Sequence, residues 1–141
     1  DAASSSLNAL RVLVAEDHAV NRRIVGLFLE PLGCRLTMAE NGREAVELAE
    51  AEAFDVILMD MQMPVMDGPA ATRTIRDGGG PNAATPVIAL TANALDHHRA
   101  IWVEAGVETF LTKPIDPRAL TAALMAAASA APPAPTAERA A

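Results

Sequence analysis

Residues 54–68 read Phe54-Asp55-Val56-Ile57-Leu58-Met59-Asp60-Met61-Gln62-Met63-Pro64-Val65-Met66-Asp67-Gly68, and the run Val56 to Asp60 within them decides the fold. Its apolar side chains follow one another without alternation, and a carboxylate ends the run. A strand with one face in water alternates, so an unbroken run marks a strand covered on both faces, as in a parallel sheet. Outward from it lie further strand candidates at Arg11 to Ala15, Arg35 to Ala39, Pro86 to Thr91 and Glu108 to Leu111. Between them, Val20, Ile24, Leu27 and Phe28 repeat at helical spacing, as do Ala45, Leu48 and Ala49 after the Asn41-Gly42 turn. The strand-helix unit recurs five times, which predicts an α/β fold: a five-stranded parallel sheet, doubly wound, with right-handed crossovers and helices on both faces.

Breakers set the boundaries. Pro31 ends or bends the first helix near Glu30, with Gly33 in the turn beyond. The third helix starts after Asp67-Gly68-Pro69, where proline suits the first turn, and runs to about Arg76. Gly78-Gly79-Gly80-Pro81 then reads as a flexible loop. A fourth helix covers roughly Leu95 to Ala105, and a fifth follows Ile115-Asp116-Pro117 with Asp116 as N-cap. Pro132 and Pro133 cannot continue it. The expected division is a linker at residues 1–9, one folded domain at 10–131, and a Pro- and Ala-rich tail at 132–141.

The chain has 141 residues, room for one domain at about 100 to 200 residues each. It carries 11 Lys+Arg against 18 Asp+Glu, a net charge of −7. That excess of anions repels phosphate backbones and acidic lipid, so no direct nucleic-acid partner and no membrane contact are expected. The uncharged stretch between Arg118 and Glu138 is mostly alanine, broken by Pro132, Pro133 and Pro135, and lacks the bulky side chains of a membrane span. The opening Asp1-Ala2-Ala3-Ser4-Ser5-Ser6 reads as linker rather than export signal. One cysteine, Cys34, makes neither an internal disulfide nor a thiolate cluster, which fits a reducing, cytoplasmic setting.

Open parallel sheets bind their ligands at the carboxyl ends of the strands. There the first strand gives Glu16-Asp17, the third Asp60, the fourth Thr91, and the fifth is followed by Lys113-Pro114. Three carboxylates with ordinary pKa values near ~4 repel one another unless a cation intervenes. Carboxylates, a carbonyl and waters suit magnesium, and without a His or Cys cluster zinc is disfavoured. A magnesium with free positions is a phosphate site, in which Lys113 neutralises one phosphoryl oxygen and the Thr91 hydroxyl meets another. Asp60, on the central strand, is the best nucleophile, and its attack on phosphorus gives an acyl phosphate.

Taken together, Val12-Leu13-Val14-Ala15-Glu16-Asp17, the 54–68 stretch, Ala89-Leu90-Thr91-Ala92 and Phe110-Leu111-Thr112-Lys113-Pro114 resemble the receiver domain of two-component response regulators, from about Arg11 to Leu124. The resemblance implies a flavodoxin-like fold and phosphorylation of Asp60, with the domain catalysing its own phosphorylation and dephosphorylation. It implies Mg2+ held by Asp17, Asp60 and the Gln62 backbone carbonyl, with Glu16 acting mainly through water. Thr91 is then the switch hydroxyl, Lys113 its salt-bridge partner, the Lys113-Pro114 bond cis, and Phe110 the aromatic switch position, without the hydroxyl of the tyrosine many members carry.

Asn21-Arg22, Glu40-Asn41-Gly42-Arg43-Glu44-Ala45 and Lys113-Pro114-Ile115-Asp116 are further similar to receivers fused to hybrid sensor histidine kinases. In those, phosphate arrives from a kinase histidine and passes to a histidine phosphotransfer domain, so the implied partners are a sensor histidine kinase core and such a domain. His18 departs from the pattern, since such receivers frequently carry asparagine there.

Plainer readings compete. Glu16-Asp17 alone is a helix cap, Thr91 alone a strand-end hydroxyl and Lys113 alone a surface cation, but coincidence at four strand ends is not expected. His18 reads as a rim residue, His97-His98 as solvated helix residues, and Trp102, Met61, Met63 and Met66 as packing. A phosphatase of the haloacid dehalogenase type needs a second acid where Gln62 stands and uses the first strand. A flavodoxin-type flavin site needs a phosphate-cradling loop where Glu16-Asp17-His18 repel phosphate. The remaining alternatives are a degenerate receiver acting as an unphosphorylated protein-binding module, and a free-standing response regulator.

Overall fold

A computed structural model describes residues 9–92, 96–107 and 109–130 of the chain. The strands are β1 (Arg11–Ala15), β2 (Arg35–Ala39), β3 (Val56–Asp60), β4 (Val87–Thr91) and β5 (Thr109–Thr112), and the helices are α1 (Ala19–Leu29), α2 (Gly42–Ala51), α3 (Gly68–Asp77), α4 (Asp96–Glu104) and α5 (Pro117–Ala130). All strand pairs are parallel, in the order β2-β1-β3-β4-β5. That order is the flavodoxin-like doubly wound arrangement, and its direction of winding reverses between β1 and β3. The crevice for a ligand therefore opens where β1 and β3 end.

The unbroken apolar run of β3 is explained by a core on each side of the sheet. Ile57 and Met59 point into one cluster with Ala45, Val46, Ala71, Ile75 and Trp102, so α2, α3 and α4 cover that face. Val56 and Leu58 join the other with Val25, Leu29, Leu120 and Leu124, under α1 and α5. Met61, Met63 and Met66 are partly buried against the first cluster, as packing residues should be.

Boundaries shift where backbone hydrogen bonding decides. β4 starts at Val87, not Pro86: Pro86 accepts from the Ile57 N–H through its carbonyl but has no N–H to return. β5 runs on to Thr112 because Thr91 pairs with Thr112 in the same register, while Glu108 lies outside the described residues. α4 ends at Glu104 and Ala105 is already in a turn; Leu95 and the side chains of His97 and His98 also lie outside the described residues. α1 stops at Leu29 and tightens into a single turn, Glu30–Leu32, before Gly33 at φ 87°. Asp116 Oδ2 accepts from the Ala119 N–H at 2.9 Å, the expected cap.

The glycine-rich loop after α3 hides a feature the sequence did not reveal. Its Gly79 is open to solvent, but Asn82 just beyond is 1% exposed. Asn82 Nδ2 donates to the carbonyls of Ala49 (2.6 Å) and Glu52 (2.7 Å), and Oδ1 accepts from the Phe54 N–H (2.8 Å) and the Thr85 hydroxyl (2.9 Å). Arg76 adds a bond to the Thr85 carbonyl at 2.6 Å. One amide thus ties α2, β3 and the approach to β4 together at the amino end of the sheet.

Candidate functional site

Because β1, β3, β4 and β5 are parallel and in register, with Ala15 opposite Met59, Asp60 opposite Leu90 and Thr91 opposite Thr112, their carboxyl ends are level. Glu16 leaves β1 fully buried, Asp60 ends β3 at 5% exposure and Thr91 ends β4 at 3%. From the β5 side, Lys113 Nζ reaches 2.8 Å from Asp60 Oδ1 and 2.8 Å from Glu16 Oε1. The Lys113-Pro114 peptide is cis. Glu16 Oε2 accepts from the His18 backbone N–H at 3.1 Å, and Arg22 Nη1 donates to the Glu16 carbonyl at 2.7 Å. Asp60, Thr91 and Lys113 open on a cavity of about 420 Å³, also lined by His18, Asn21, Met61, Gln62 and Ala92.

The loop from β3 to α3 is held tightly beneath this cavity. A Cβ on Gly68 would collide with the Asp60 carbonyl and the Trp102 ring, and one on Gly42 with the Met66 carbonyl, so only glycine fits at either place. Gly68 N–H donates to the Met61 carbonyl (2.8 Å), and Asp67 Oδ1 caps α3 by accepting from Ala70 N–H (2.8 Å). Val65 takes a positive φ of 72° in this loop. The Met-Asp-Gly of the motif is thus a turn that fixes where Asp60 sits. Phe110 is half-buried against the core on that face.

One ammonium between two carboxylates splits their behaviour. Burial pushes Asp60 up to about 6; the Lys113 hydrogen bond opposes this, and the charge of Glu16 adds to it. Glu16 feels burial as well, but the hydrogen bonds from Lys113 and the His18 N–H outweigh it and hold its pKa below the ordinary value. Burial weakens the charge on Lys113, yet its bonds to Asp60 and Glu16 prevail and raise its pKa. Glu16 is therefore the standing counterion of Lys113, and Asp60 the carboxylate left short of positive charge.

A second cation fits that deficit. Asp17 Oδ1 is buried and has no hydrogen-bond partner among the described residues. It lies 3.2 Å from His18 Nδ1, without hydrogen-bond alignment. Glu16, Asp17 and His18 each present a donor atom, all within 4.8 Å of one another. An orphaned buried carboxylate oxygen beside other oxygen donors is what a hard dication satisfies. His18, which sequence reading left on the rim, belongs to this cluster; the signal was there in its position next to the acidic pair.

This constellation on this fold has known counterparts. The profile of the response regulator receiver domain matches residues 12–125. The chain belongs to the receiver domain family. Sensor protein GacS of Pseudomonas syringae pv. syringae is 39% identical over 117 residues, which is 82% of this chain but 13% of that protein. The chain thus spans about an eighth of such a relative's length. Among solved structures, the receiver domain of the sensor histidine kinase PA1611 from Pseudomonas aeruginosa PAO1, with a magnesium ion coordinated in its active-site cleft, is 36% identical with a TM-score of 0.79, covering 86% of this chain and 98% of that one. The receiver domain of the response regulator Ssk1 from Saccharomyces cerevisiae, co-crystallised with the histidine phosphotransfer protein Ypd1, has a TM-score of 0.81 at 29% identity, over 87% of this chain and 91% of that one. Hybrid signal transduction histidine kinase G of Dictyostelium discoideum is also 39% identical, over 79% of this chain and 3% of that protein, so the present receiver is homologous to those of hybrid histidine kinases, which supports a phosphorelay role. No helix among the described residues is long and apolar enough to cross a membrane.

Proposed function

We propose that residues 10–131 form a receiver that takes a phosphoryl group from a kinase or phosphotransfer-domain phosphohistidine onto Asp60, with Mg2+, within a cytoplasmic hybrid sensor histidine kinase. The observation that carries this is Lys113 Nζ at 2.8 Å from Asp60 Oδ1 at the mouth of a cavity of phosphate-admitting size. An Asp60 oxygen attacks phosphorus, the P–N bond breaks, and its electron pair leaves on the imidazole; Lys113 moves from the Asp60 carboxylate to a phosphoryl oxygen as charge shifts there. Thr91 meets another phosphoryl oxygen from the end of β4, and inward movement of Thr91 and Phe110 is the switch. Asp17, Asp60 and the Gln62 carbonyl would hold the magnesium, with Glu16 acting through water, and the ion would supply positive charge to the transferring oxygens.

The partner's histidine needs a seat beside the cavity. Val20 and Leu27 on α1 are 70% and 63% exposed, and a groove of about 370 Å³ lined by Ile24, Leu27, Phe28, Pro114 and Ile115 adjoins the site through Asn21 and Lys113, which line both. A helical histidine phosphotransfer domain laying an apolar stripe there places its histidine over Asp60.

Incubation with acetyl phosphate and magnesium is expected to give one hydroxylamine-sensitive phosphoryl mass gain, absent in Asp60→Asn. No gain on the wild-type chain overturns the reading in favour of a binding module. Leu27→Asp is expected to slow transfer from a phosphorylated histidine phosphotransfer protein at least tenfold and to leave the acetyl phosphate reaction unchanged; equal rates from the protein donor would remove α1 as the docking face.

A further inference from the structure

Nothing in the receiver motif requires a nitrogen donor, yet here one stands at the metal pocket. His18 Nδ1 lies 3.2 Å from Asp17 Oδ1 and 3.4 Å from Glu16 Oε2. Neighbouring donors on one octahedral ion, each about 2.1 Å from it, stand about 3 Å apart. The Asp17 spacing is close to that value, and the Asp17 oxygen involved is the orphaned one. The His18 backbone N–H donates to Glu16 Oε2 at 3.1 Å, which fixes the turn that carries the largely exposed ring. Its imidazole also lines the cavity that holds Asp60 and Lys113.

From this we infer that His18 is a direct nitrogen ligand of the pocket's dication, which makes this receiver selective for first-row transition ions such as Co2+ and Mn2+ over Mg2+ in a way an all-oxygen pocket is not. The inference rests on the reading of the pocket as a dication site. Imidazole is a borderline ligand that stabilises cobalt more than manganese and adds little for magnesium, which prefers oxygen and retained water. In the metal-free chain Nδ1 stands 3.4 Å from Glu16 Oε2, inside the same cluster of donor atoms. Lys113 holds one oxygen of Glu16 and the His18 N–H the other, consistent with Glu16 reaching the ion through water.

The test is isothermal titration of Mg2+ and Co2+ into the wild-type chain, His18→Asn and Asp17→Asn, together with the visible spectrum of the cobalt form. Asparagine keeps an oxygen donor of similar reach and removes the nitrogen. For His18→Asn, cobalt affinity is expected to fall at least tenfold and its absorption bands to shift, while magnesium affinity stays within twofold. Asp17→Asn is expected to weaken both ions. If His18→Asn leaves cobalt affinity and spectrum unchanged while Asp17→Asn weakens binding, the His18 assignment is wrong and the dication pocket stands. If Asp17→Asn changes neither ion's affinity, the pocket reading fails and the inference with it.

Discussion

The two ends of this sheet each bury polar side chains, and they handle them in opposite ways. At the amino end Asn82 is neutral, 1% exposed, and has its amide hydrogens and its oxygen spoken for by Ala49, Glu52, Phe54 and Thr85. At the carboxyl end Glu16, Asp60 and Lys113 are ionisable, two carboxylates share one ammonium, and Asp17 Oδ1 lacks a hydrogen-bond partner among the described residues. A satisfied neutral network locks backbone in place, whereas an under-compensated charged one waits for another charge. The scaffold is rigid where nothing reacts and electrostatically unfinished where phosphate is to arrive.

Removing the ammonium tests the reactive end most severely. Lys113→Ala is expected to slow phosphorylation of Asp60 by acetyl phosphate by about 10²- to 10³-fold, the range found when one preorganised charge leaves a transition state. The rate of mass gain at fixed magnesium measures it; a loss under threefold would mean that Lys113 only pairs with Glu16. Asn82→Ala should do the reverse. It leaves the Phe54 N–H and the Ala49 and Glu52 carbonyls without their partner, and at about 1 kcal/mol or more for each such group the expected loss is about 3 kcal/mol. Urea unfolding measures that loss, and the acetyl phosphate rate of the folded fraction should stay within twofold. A variant that folds as well as the parent but reacts more slowly would break the separation between the two ends.

The same contrast governs what could be read beforehand. The reactive end was legible because it is built from strand termini: each apolar run stops at a polar residue, and parallel register brings Glu16, Asp60, Thr91 and Lys113 level. The extents of β1 and β3 were legible for the same reason, since an unbroken apolar run has sharp ends. Asn82 was not, because its backbone partners lie about 30 positions away (33 for Ala49 and 28 for Phe54), and nothing local to a glycine-rich loop signals such a partner. β4 begins a residue later than the sequence predicts and β5 ends a residue later, because pairing, not hydrophobicity, sets where a strand begins and stops. His18 reads as a rim residue in the sequence and does line the cavity, but its spacing to Glu16 depends on a backbone bond that only the folded turn supplies.

The smallest effect concerns protons rather than phosphate, and sharpens the idea that Asp60 is short of positive charge. Asp60 takes up a proton near 6 in the folded chain and near its ordinary value of 3.8 when unfolded, because burial and then the charge of Glu16 disfavour its anion, more than Lys113 helps it. Between those values the folded state binds the proton and the unfolded state does not, so this group opposes folding at neutral pH and the opposition fades as pH falls. Glu16 acts with the other sign, its depressed pKa withdrawing stability only below its ordinary value of 4.5. From about pH 7 down to about pH 5 the metal-free chain should therefore gain about 1 kcal/mol from Asp60, less than the full shift implies because that window covers only part of the titration and the Lys113 pair relaxes. Urea unfolding in EDTA across that range measures the gain. Asp60→Asn should be more stable than the parent at pH 7 and lose this part of the slope, and saturating magnesium should flatten the slope of the wild-type chain by occupying the proton's place. Identical slopes for parent and variant would mean that Lys113 neutralises both carboxylates fully, and the carboxyl end of the sheet would then be as well satisfied as the end that Asn82 ties.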